Sequence, residues 1–254
     1  MIDLHSHLLP GVDDGSRTVE QSVRVLREIA ELGITDVCLT PHLTASRAEQ
    51  GVPAAYDAAY EALAAVAPPD VKLYRGAEVM LDRPLGPAAA SNRAITLNRT
   101  RYILVEFPRL VPRETVATAL RLVAETGLVP VLAHPERYSS CSVSAARAWR
   151  ATGAKLQVDA NTLLSPRSRG ERARALVAAG MADILAADNH GDDRTLAAAH
   201  ASLSQHGAAE QAAVLTVRNP RAILDDAELE PVEPVTFTVN LLQRIRRLFD
   251  GDSA

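Results

Sequence analysis

Short apolar runs with strand character alternate with longer amphipathic runs along most of this 254-residue chain. A first strand leads into His5 and His7, and further strands are predicted at 34–40, 71–79, 102–107, 129–134, 155–159 and 183–188. Helices are predicted at 17–32, 53–67, 113–126, 143–152, 169–179 and 194–206. Because repeated strand–helix–strand units favour parallel pairing with right-handed crossovers, we expect an α/β fold.

Ionisable side chains stand at or just after the ends of these predicted strands. They are His5, His7, His42, Glu78, Glu106, His134, Asp188 and His190. Groups from many strand ends can converge only if the strands circle a common axis, as they do at the C-terminal face of a barrel. No Gly-x-Gly-x-x-Gly fingerprint follows the first strand, which weakens the alternative of an open dinucleotide-binding sheet. The pattern therefore predicts a (β/α) barrel with its site at that face.

The residue types at these strand ends are those of a metal site. His5 and His7 are two apart on a strand, so both side chains face the same way, and Asp188 with His190 repeats the spacing. Histidines and carboxylates without thiolates suit Mn, Fe, Co or Zn, and the many carboxylates favour Mn or Fe. The candidate ligands are too many for one ion, so two or three ions are expected, which could activate water and clamp phosphoryl oxygens.

Ion pairs are the alternative explanation for some of these charges. A carboxylate such as Glu106 at an apolar strand end must be paired or metal-bound, and Arg101 or Arg109 could pair with it. Arg137 and Arg194 follow two of the strand ends, where a guanidinium could bind phosphate oxygens in bidentate fashion. Each could instead form a surface ion pair with a neighbouring acid.

Composition excludes several classes of function. The net charge of −4 and the 4% of aromatic residues argue against a generally basic or base-stacking nucleic-acid binder. Two cysteines cannot make a disulfide framework or a Cys-rich zinc module. The N-terminus has no signal-peptide pattern, and no run approaches the ~18 apolar residues of a membrane-spanning helix, so we expect a cytoplasmic protein.

The last residues differ in composition from the rest. Residues 230–234 read as a proline-spaced linker, and residues 240–249 read as a short basic amphipathic helix. That helix could pack on the barrel or contact a partner or a membrane surface. We therefore divide the chain into a barrel at 1–228 and a C-terminal segment at 229–254.

Several motifs together resemble a known family. They are His5-Ser6-His7, Pro10-Gly11-Val12-Asp13-Asp14-Gly15, Thr40-Pro41-His42, Gly76-Ala77-Glu78, Glu106-Phe107, Ala133-His134-Pro135-Glu136-Arg137-Tyr138, Asp188-Asn189-His190 and Asn219-Pro220-Arg221. Over residues 1 to about 225 the chain resembles the PHP (polymerase and histidinol phosphatase) superfamily. The resemblance is closest to its manganese-dependent bacterial tyrosine phosphatases of the CpsB/YwqE type.

The resemblance implies a distorted (β/α)7 barrel with three divalent ions, Mn²⁺ above all, with Fe, Co or Zn as alternatives. It implies three ligand sets: His5, His7, Glu78 and Asp188 for the first ion; Glu78, Glu106 and His134 for the second; Asp14, His42 and His190 for the third. Arg137 matches a phosphate-binding arginine of the family, and Arg194 is the candidate for a second one. The implied substrate is phosphotyrosine on a tyrosine kinase of polysaccharide synthesis.

The mechanistic hypothesis is in-line attack of a metal-bridging hydroxide on phosphorus, without a covalent phosphoenzyme. Three alternatives stay open. The segment from Cys141 to Arg147 fits the Cys-x5-Arg pattern of thiol-dependent phosphatases, although it has no glycine and runs into a predicted helix. A small-molecule phosphatase of the histidinol-phosphate type is the second alternative. A non-catalytic regulatory module that keeps the barrel is the third.

Overall fold

The computed structural model describes residues 1–237. The strands are β1 (Ile2–Ser6), β2 (Asp36–Leu39), β3 (His42–Thr44), β4 (Lys72–Arg75), β5 (Glu78–Met80), β6 (Tyr102–Glu106), β7 (Val129–Ala133), β8 (Lys155–Asp159) and β9 (Ile184–Ala186). The helices are α1 (Val19–Glu31), α2 (Ala45–Ala48), α3 (Ala54–Ala64), α4 (Pro87–Ser91), α5 (Arg113–Glu125), α6 (Val143–Arg150), α7 (Ala160–Leu164), α8 (Ser168–Ala178), α9 (Ala197–Gln205), α10 (Ala209–Ala213) and α11 (Asn219–Leu224). Short 3-10 turns lie at Arg93–Ile95, Leu97–Arg99 and Pro135–Arg137, and a π-helical stretch lies at Val214–Arg218.

The strands form two sheets in which every pair is parallel. The smaller sheet has the order β1-β2-β4, and the larger has the order β3-β5-β6-β7-β8-β9. A single bridge between Ser6 and Asn189 links the end of β1 to the residues that follow β9. The expected α/β architecture with parallel strands is confirmed.

The prediction of one continuous strand at 71–79 is wrong, and β3 was not predicted. The chain leaves the smaller sheet after β4 and enters the larger one at β5, and it makes the same change between β2 and β3. Pro41 has no N–H to donate at the second break. At Gly76 a Cβ would approach Leu97 and Cys38 to 3.1 and 3.2 Å, so the bend uses the space that glycine leaves. Both breaks fall directly before candidate site residues.

The core lies on both faces of the strands. In β6, Ile103 and Val105 pack with the surrounding helices, whereas Tyr102 and Leu104 belong to a second apolar cluster. This alternation follows from the two-residue period of a strand, and it puts Glu106 on the same face as Leu104. Helix α1 covers the cluster that contains Ile103 and Val105 with one apolar stripe, formed by its buried Val23, Val25, Leu26 and Ile29.

The segment after α11 packs against the rest of the fold. Val232 and Val235 are buried. The buried Asn219 side chain donates to the carbonyls of Asp183 and Glu230 at 2.9 and 3.0 Å and accepts from the N–H of Glu230 at 2.8 Å. The division at residue 228 stays a prediction, because the helix expected at 240–249 lies outside the described residues.

Within residues 1–237, none of the helices has the length and hydropathy needed to cross a membrane. The longest are α1 and α5, with 13 residues each, and both carry charged residues on their exposed faces. The cytoplasmic location expected from the sequence stays a prediction.

Replacement of Asn219 by alanine is expected to lower the free energy of unfolding by about 2–4 kcal/mol, because it leaves buried backbone groups of Asp183 and Glu230 without partners. Urea denaturation followed by circular dichroism measures the change. The matched control is Glu230→Ala, which removes only the exposed ion pair with Arg218 and should cost less than about 1 kcal/mol. Equal losses in the two variants would contradict this role of the buried amide.

Candidate metal centre

Side chains from six strands and the loops that follow them meet at one end of the fold. His5 lies in β1, His42 opens β3, Glu78 opens β5 and Glu106 closes β6. His42 and Glu78 are register partners in adjacent parallel strands, so the two sheet breaks place them side by side. The structure brings together all nine residues for which the sequence suggested metal binding: His5, His7, Asp14, His42, Glu78, Glu106, His134, Asp188 and His190.

The first group consists of two imidazoles facing two carboxylates. Nε2 of His5 lies 3.3 Å from Oε2 of Glu78 and 3.2 Å from Oδ1 of Asp188. Nε2 of His7 lies 3.3 Å from the same two oxygens. All four side chains are at most 1% exposed. Four potential ligand atoms therefore point into one small, water-excluded space.

A second group shares Glu78 with the first. Oε1 of Glu78 accepts from Nε2 of His134 at 2.9 Å, and Oε2 of Glu106 lies 3.9 Å from the same nitrogen. Nδ1 of His42 lies 3.0 Å from Oε2 of Glu78 and 3.2 Å from Oε1 of Glu106. Glu78 thus has oxygens in both groups, which is the geometry a bridging carboxylate needs.

The third group lies nearest to solvent. Oδ1 of Asp14 is 3.4 Å from Nε2 of His42 and 3.6 Å from Nε2 of His190. The His7 ring stacks on the His190 ring with centroids 4.1 Å apart. The Asp14 side chain is 70% exposed, so an incoming ligand can reach this group first.

Buried charges shift the pKa values of several groups in the cluster. Burial raises the pKa of Glu78, but the charge on His5 and the hydrogen bond from His134 outweigh burial and hold that pKa well below its usual range. Burial lowers the pKa of His42, but contacts with Glu106 and Glu78 raise it to about 10. Despite burial, contacts with carboxylates also raise the pKa of His5 and His7, so protons on these imidazoles balance the buried carboxylates, and divalent cations could replace those protons.

Several polar atoms of the cluster have no hydrogen-bond partner among the described residues. These buried atoms are Oε2 of Glu78, Oδ1 of Asp188 and Nδ1 of His134. The first two lie close to imidazole nitrogens, but those contacts lack the direction of hydrogen bonds. Buried polar atoms are normally satisfied, and a cation between converging oxygens and ring nitrogens would satisfy these. The donor set therefore fits divalent metal ions.

Two polar residues that the sequence did not single out orient the histidines. Oδ2 of Asp13 accepts from Nδ1 of His7 at 2.7 Å and from the N–H of His42 at 3.1 Å. Nδ1 of His5 lies 3.0 Å from Oε1 of Gln157. Such partners fix the orientation of a metal-binding histidine ring and the nitrogen that it turns toward the metal. A signal was available for Gln157, which is a polar residue between Leu156 and Val158 in the middle of β8.

Close backbone packing and strain also shape the centre. A Cβ on Gly15 would lie 2.0 Å from the carbonyl oxygen of His7, so only glycine fits where this loop crosses β1. His134 and Asp188 have φ angles of +33° and +50°, in the left-handed region that non-glycine residues rarely adopt. Backbone strain of this kind collects at functional sites.

The two candidate arginines differ in how firmly they are held. Arg137 donates through Nη2 to buried carboxylates of both Asp159 and Asp188. Arg194 instead donates from Nε and Nη2 to the exposed Asp192, and its Nη1 lies 3.7 Å from Oδ2 of Asp188. Both guanidinium groups therefore lie at the edge of the first group, with Arg137 the better fixed.

Two sequence-based alternatives do not fit this geometry. Burial, together with the charge of Glu136, raises the pKa of the Cys141 thiol to about 12, the opposite of an activated nucleophile. Arg147 lies on the exposed face of α6 and could not complete a phosphate loop with that thiol. Glu106 contacts His42 rather than an arginine, and Arg101 pairs with Glu228.

Comparisons with known proteins identify the family of this chain. The family described as capsular polysaccharide synthesis, CpsB/CapC, matches residues 1–225. The tyrosine-protein phosphatase CpsB of Streptococcus pneumoniae is 27% identical over 241 residues, 89% of this chain and 99% of that protein. The tyrosine-protein phosphatase YwqE of Bacillus subtilis (strain 168) is 34% identical over 142 residues, 54% of this chain and 55% of that protein.

A solved structure gives the same result. It comes from work on the crystal structures of YwqE from Bacillus subtilis and CpsB from Streptococcus pneumoniae, described as unique metal-dependent tyrosine phosphatases. It superposes with a TM-score of 0.76 at 25% identity and covers 93% of this chain and 100% of that chain. The resemblance to CpsB/YwqE-type phosphatases that the motifs indicate is thereby confirmed.

Replacement of Asp13 by alanine is expected to weaken Mn²⁺ binding about 10- to 100-fold, because the His7 ring loses the carboxylate that orients it. Isothermal titration of the metal-free protein with Mn²⁺ measures the affinity. Asp13→Asn should give a smaller loss, since the amide oxygen can still accept a hydrogen bond. Asp70→Ala, at an exposed carboxylate, is the control, and unchanged affinity in Asp13→Ala would contradict the orienting role.

Proposed function

Because the chain belongs to the CpsB/CapC family of capsular polysaccharide synthesis, we propose that it is a metal-dependent protein-tyrosine phosphatase. The single observation that carries the proposal is the convergence of nine histidine and carboxylate side chains in overlapping groups, with Arg137 at their edge. Such a set is suited to phosphoryl transfer to water, in which positioning and charge stabilisation do most of the work.

We propose further that the strands form a distorted (β/α)7 barrel with the metal centre at its C-terminal face. β2 and β3 are separated only by Thr40 and Pro41, and β4 and β5 only by Gly76 and Ala77. Counting each pair as one bent strand leaves seven strands in a continuous parallel order. The bridge between Ser6 and Asn189 then joins the first strand to the last and supports closure.

For the cofactor we propose three divalent ions, with Mn²⁺ as the physiological metal. His5, His7, Glu78 and Asp188 would hold the first ion; Glu78, Glu106 and His134 the second; Asp14, His42 and His190 the third. The distances among these side chains support this assignment. When bound, the ions supply an activated water and neutralise charge on the phosphoryl oxygens.

The residues of the chain would position the phosphate. The Arg137 guanidinium is held by Asp159 and Asp188 at the edge of the cluster, where its remaining N–H groups would bind non-bridging phosphate oxygens. Arg194 would assist from the side of Asp192. Cys141 is buried with a raised pKa and offers no nucleophile, so we propose direct transfer to water with tyrosine as the leaving group.

For the substrate we propose phosphotyrosine on a protein, specifically on a tyrosine kinase of polysaccharide synthesis. The relatives named tyrosine-protein phosphatases support the residue type, and the capsular polysaccharide family supports the biological setting. The kinase itself is the part of the proposal that rests on the family resemblance alone.

Hydrolysis of a phosphotyrosine peptide is expected to stop after EDTA treatment and to return when Mn²⁺ is added, because the histidines and carboxylates alone cannot activate water. Phosphate release is the measurement, with a phosphoserine peptide and histidinol phosphate assayed alongside. Cys141→Ser serves as the control variant and should retain the activity of the parent protein.

The outcomes separate the alternatives. Activity indifferent to EDTA and abolished in Cys141→Ser would overturn the metal mechanism in favour of thiol chemistry. Faster turnover of histidinol phosphate than of the phosphotyrosine peptide would indicate a small-molecule phosphatase. Metal binding without turnover of any substrate would indicate a regulatory module.

Arg137→Met is expected to lower kcat/KM for the phosphotyrosine peptide about 10²- to 10³-fold, the usual loss when a preorganised donor to developing charge is removed. Arg194→Met should lower kcat/KM less than about tenfold, because Nε and Nη2 of Arg194 already donate hydrogen bonds to Asp192. Metal content and unfolding midpoint are measured for both variants, so that a folding defect is recognised. Equal losses in the two variants would contradict the assignment of the main phosphate ligand.

A further inference from the structure

Three arginines lie together beside the proposed phosphate-binding residue, and the mechanism above does not use them. We propose that this arginine patch (Arg109, Arg169 and Arg172) binds anionic groups that flank the phosphotyrosine on the same polypeptide. The inference rests on the proposed function and extends it from the phosphate to the sequence around it.

Hydrogen bonds fix the patch against the 3-10 turn that carries Arg137. The carbonyl of Arg109 accepts from the N–H of Ser139 at 2.9 Å, two residues after Arg137. Nε of Arg172 donates to the carbonyl of Glu136 at 2.9 Å, one residue before it. Arg169 lies one turn before Arg172 in α8. The patch is therefore attached to the same short segment that positions Arg137 at the metal centre.

The patch concentrates positive charge without neutralising partners. Burial lowers the pKa of Arg169, and the positive charges of Arg109, Arg137 and Arg172 lower it further, as expected for charges that lie near one another. Among residues 1–237, neither Arg109 nor Arg169 forms an ion pair. By contrast, Arg75 bridges Asp57 and Glu61 elsewhere on the surface.

Nearby acids do not cancel this charge at the surface. Glu136 is completely buried beneath the patch, and Asp159 and Asp188 are buried and engaged by Arg137. Glu171 lies in α8 between Arg169 and Arg172, and no ion pair joins it to either within the described residues. A chain of net charge −4 thus keeps an uncompensated cationic surface next to its site.

A flanking anion is the occupant that this arrangement favours. When the phosphate of a peptide lies at Arg137, the residues on one side of the phosphotyrosine must lie over the neighbouring surface. Guanidinium groups bind carboxylates and phosphates alike, so Asp, Glu or a second phosphotyrosine can supply the anion. Attraction by such a patch acts on substrate capture and weakens with salt.

The test compares phosphotyrosine peptides of equal length with neutral, acidic or doubly phosphorylated flanks, and an aryl phosphate without a flank. For each variant, kcat/KM on a peptide with an anionic flank is divided by kcat/KM on the aryl phosphate. In the double variant Arg109→Gln/Arg169→Gln this ratio should fall about three- to tenfold, and the change should lie in KM rather than in kcat. The control is Arg27→Gln/Arg99→Gln, at exposed arginines away from the patch, which should leave the ratio unchanged. The peptide whose kcat/KM falls more in the patch variant, acidic or doubly phosphorylated, identifies the anion that the patch binds.

A binding measurement separates this inference from the proposed function. Fluorescence anisotropy of a labelled acidic peptide without phosphotyrosine, on the metal-free full chain, should show affinity that falls in the patch variant. If no phosphotyrosine substrate is hydrolysed but this affinity falls, the proposed function fails and the anion site stands.

If the flank makes no difference to kcat/KM or affinity in the parent protein, the inference is wrong. Equal loss on the aryl phosphate would also overturn it, because the patch would then act on the reacting phosphate. Loss of binding to anionic lipid vesicles, with peptide kinetics unchanged, would assign the patch to a membrane surface and overturn it as well.

Discussion

Burial of the Glu78 charge is the constraint on which the rest of this structure depends. The side chain has no contact with solvent, and an isolated carboxylate in that position would cost several kcal/mol. It is tolerated because imidazoles from three other strands, at His5, His42 and His134, surround its two oxygens. Strands that are distant in sequence must therefore end at one point, and the parallel order of the sheets follows from that requirement as much as from apolar packing.

The sequence predicted the chemistry of the site better than the path of the chain. Polar residues at strand ends identified eight of the nine residues of the cluster, because parallel strands share one carboxyl edge. Asp14 followed only from the family resemblance. The sheet breaks at Pro41 and Gly76 were missed, because the apolar pattern of 71–79 continues through the bend. The sheet that a segment joins depends on its neighbours in space, and the local apolar pattern does not predict those neighbours.

The orienting residues were harder to predict for a related reason. Asp13 lies in a recognised motif, but its partner, Nδ1 of His7, becomes evident only when the loop folds over β1 at Gly15. Asp159 closes β8, and only the structure shows that its buried carboxylate accepts a hydrogen bond from Arg137. Hydrogen-bond partners of this kind are set by tertiary structure, so residue type alone cannot assign them.

The first and the last strand of the fold meet at the metal centre. Asp3 accepts from the N–H of Ala187, 184 residues away, and one bridge at Ser6 and Asn189 continues the contact. An ion held jointly by His5, His7 and Asp188 would cross-link the first strand to the last and close a loop that contains most of the polypeptide. Stability would then be linked to the concentration of free ion, since only the folded chain offers the complete ligand set. The melting temperature of such a protein describes the polypeptide and its metal supply together.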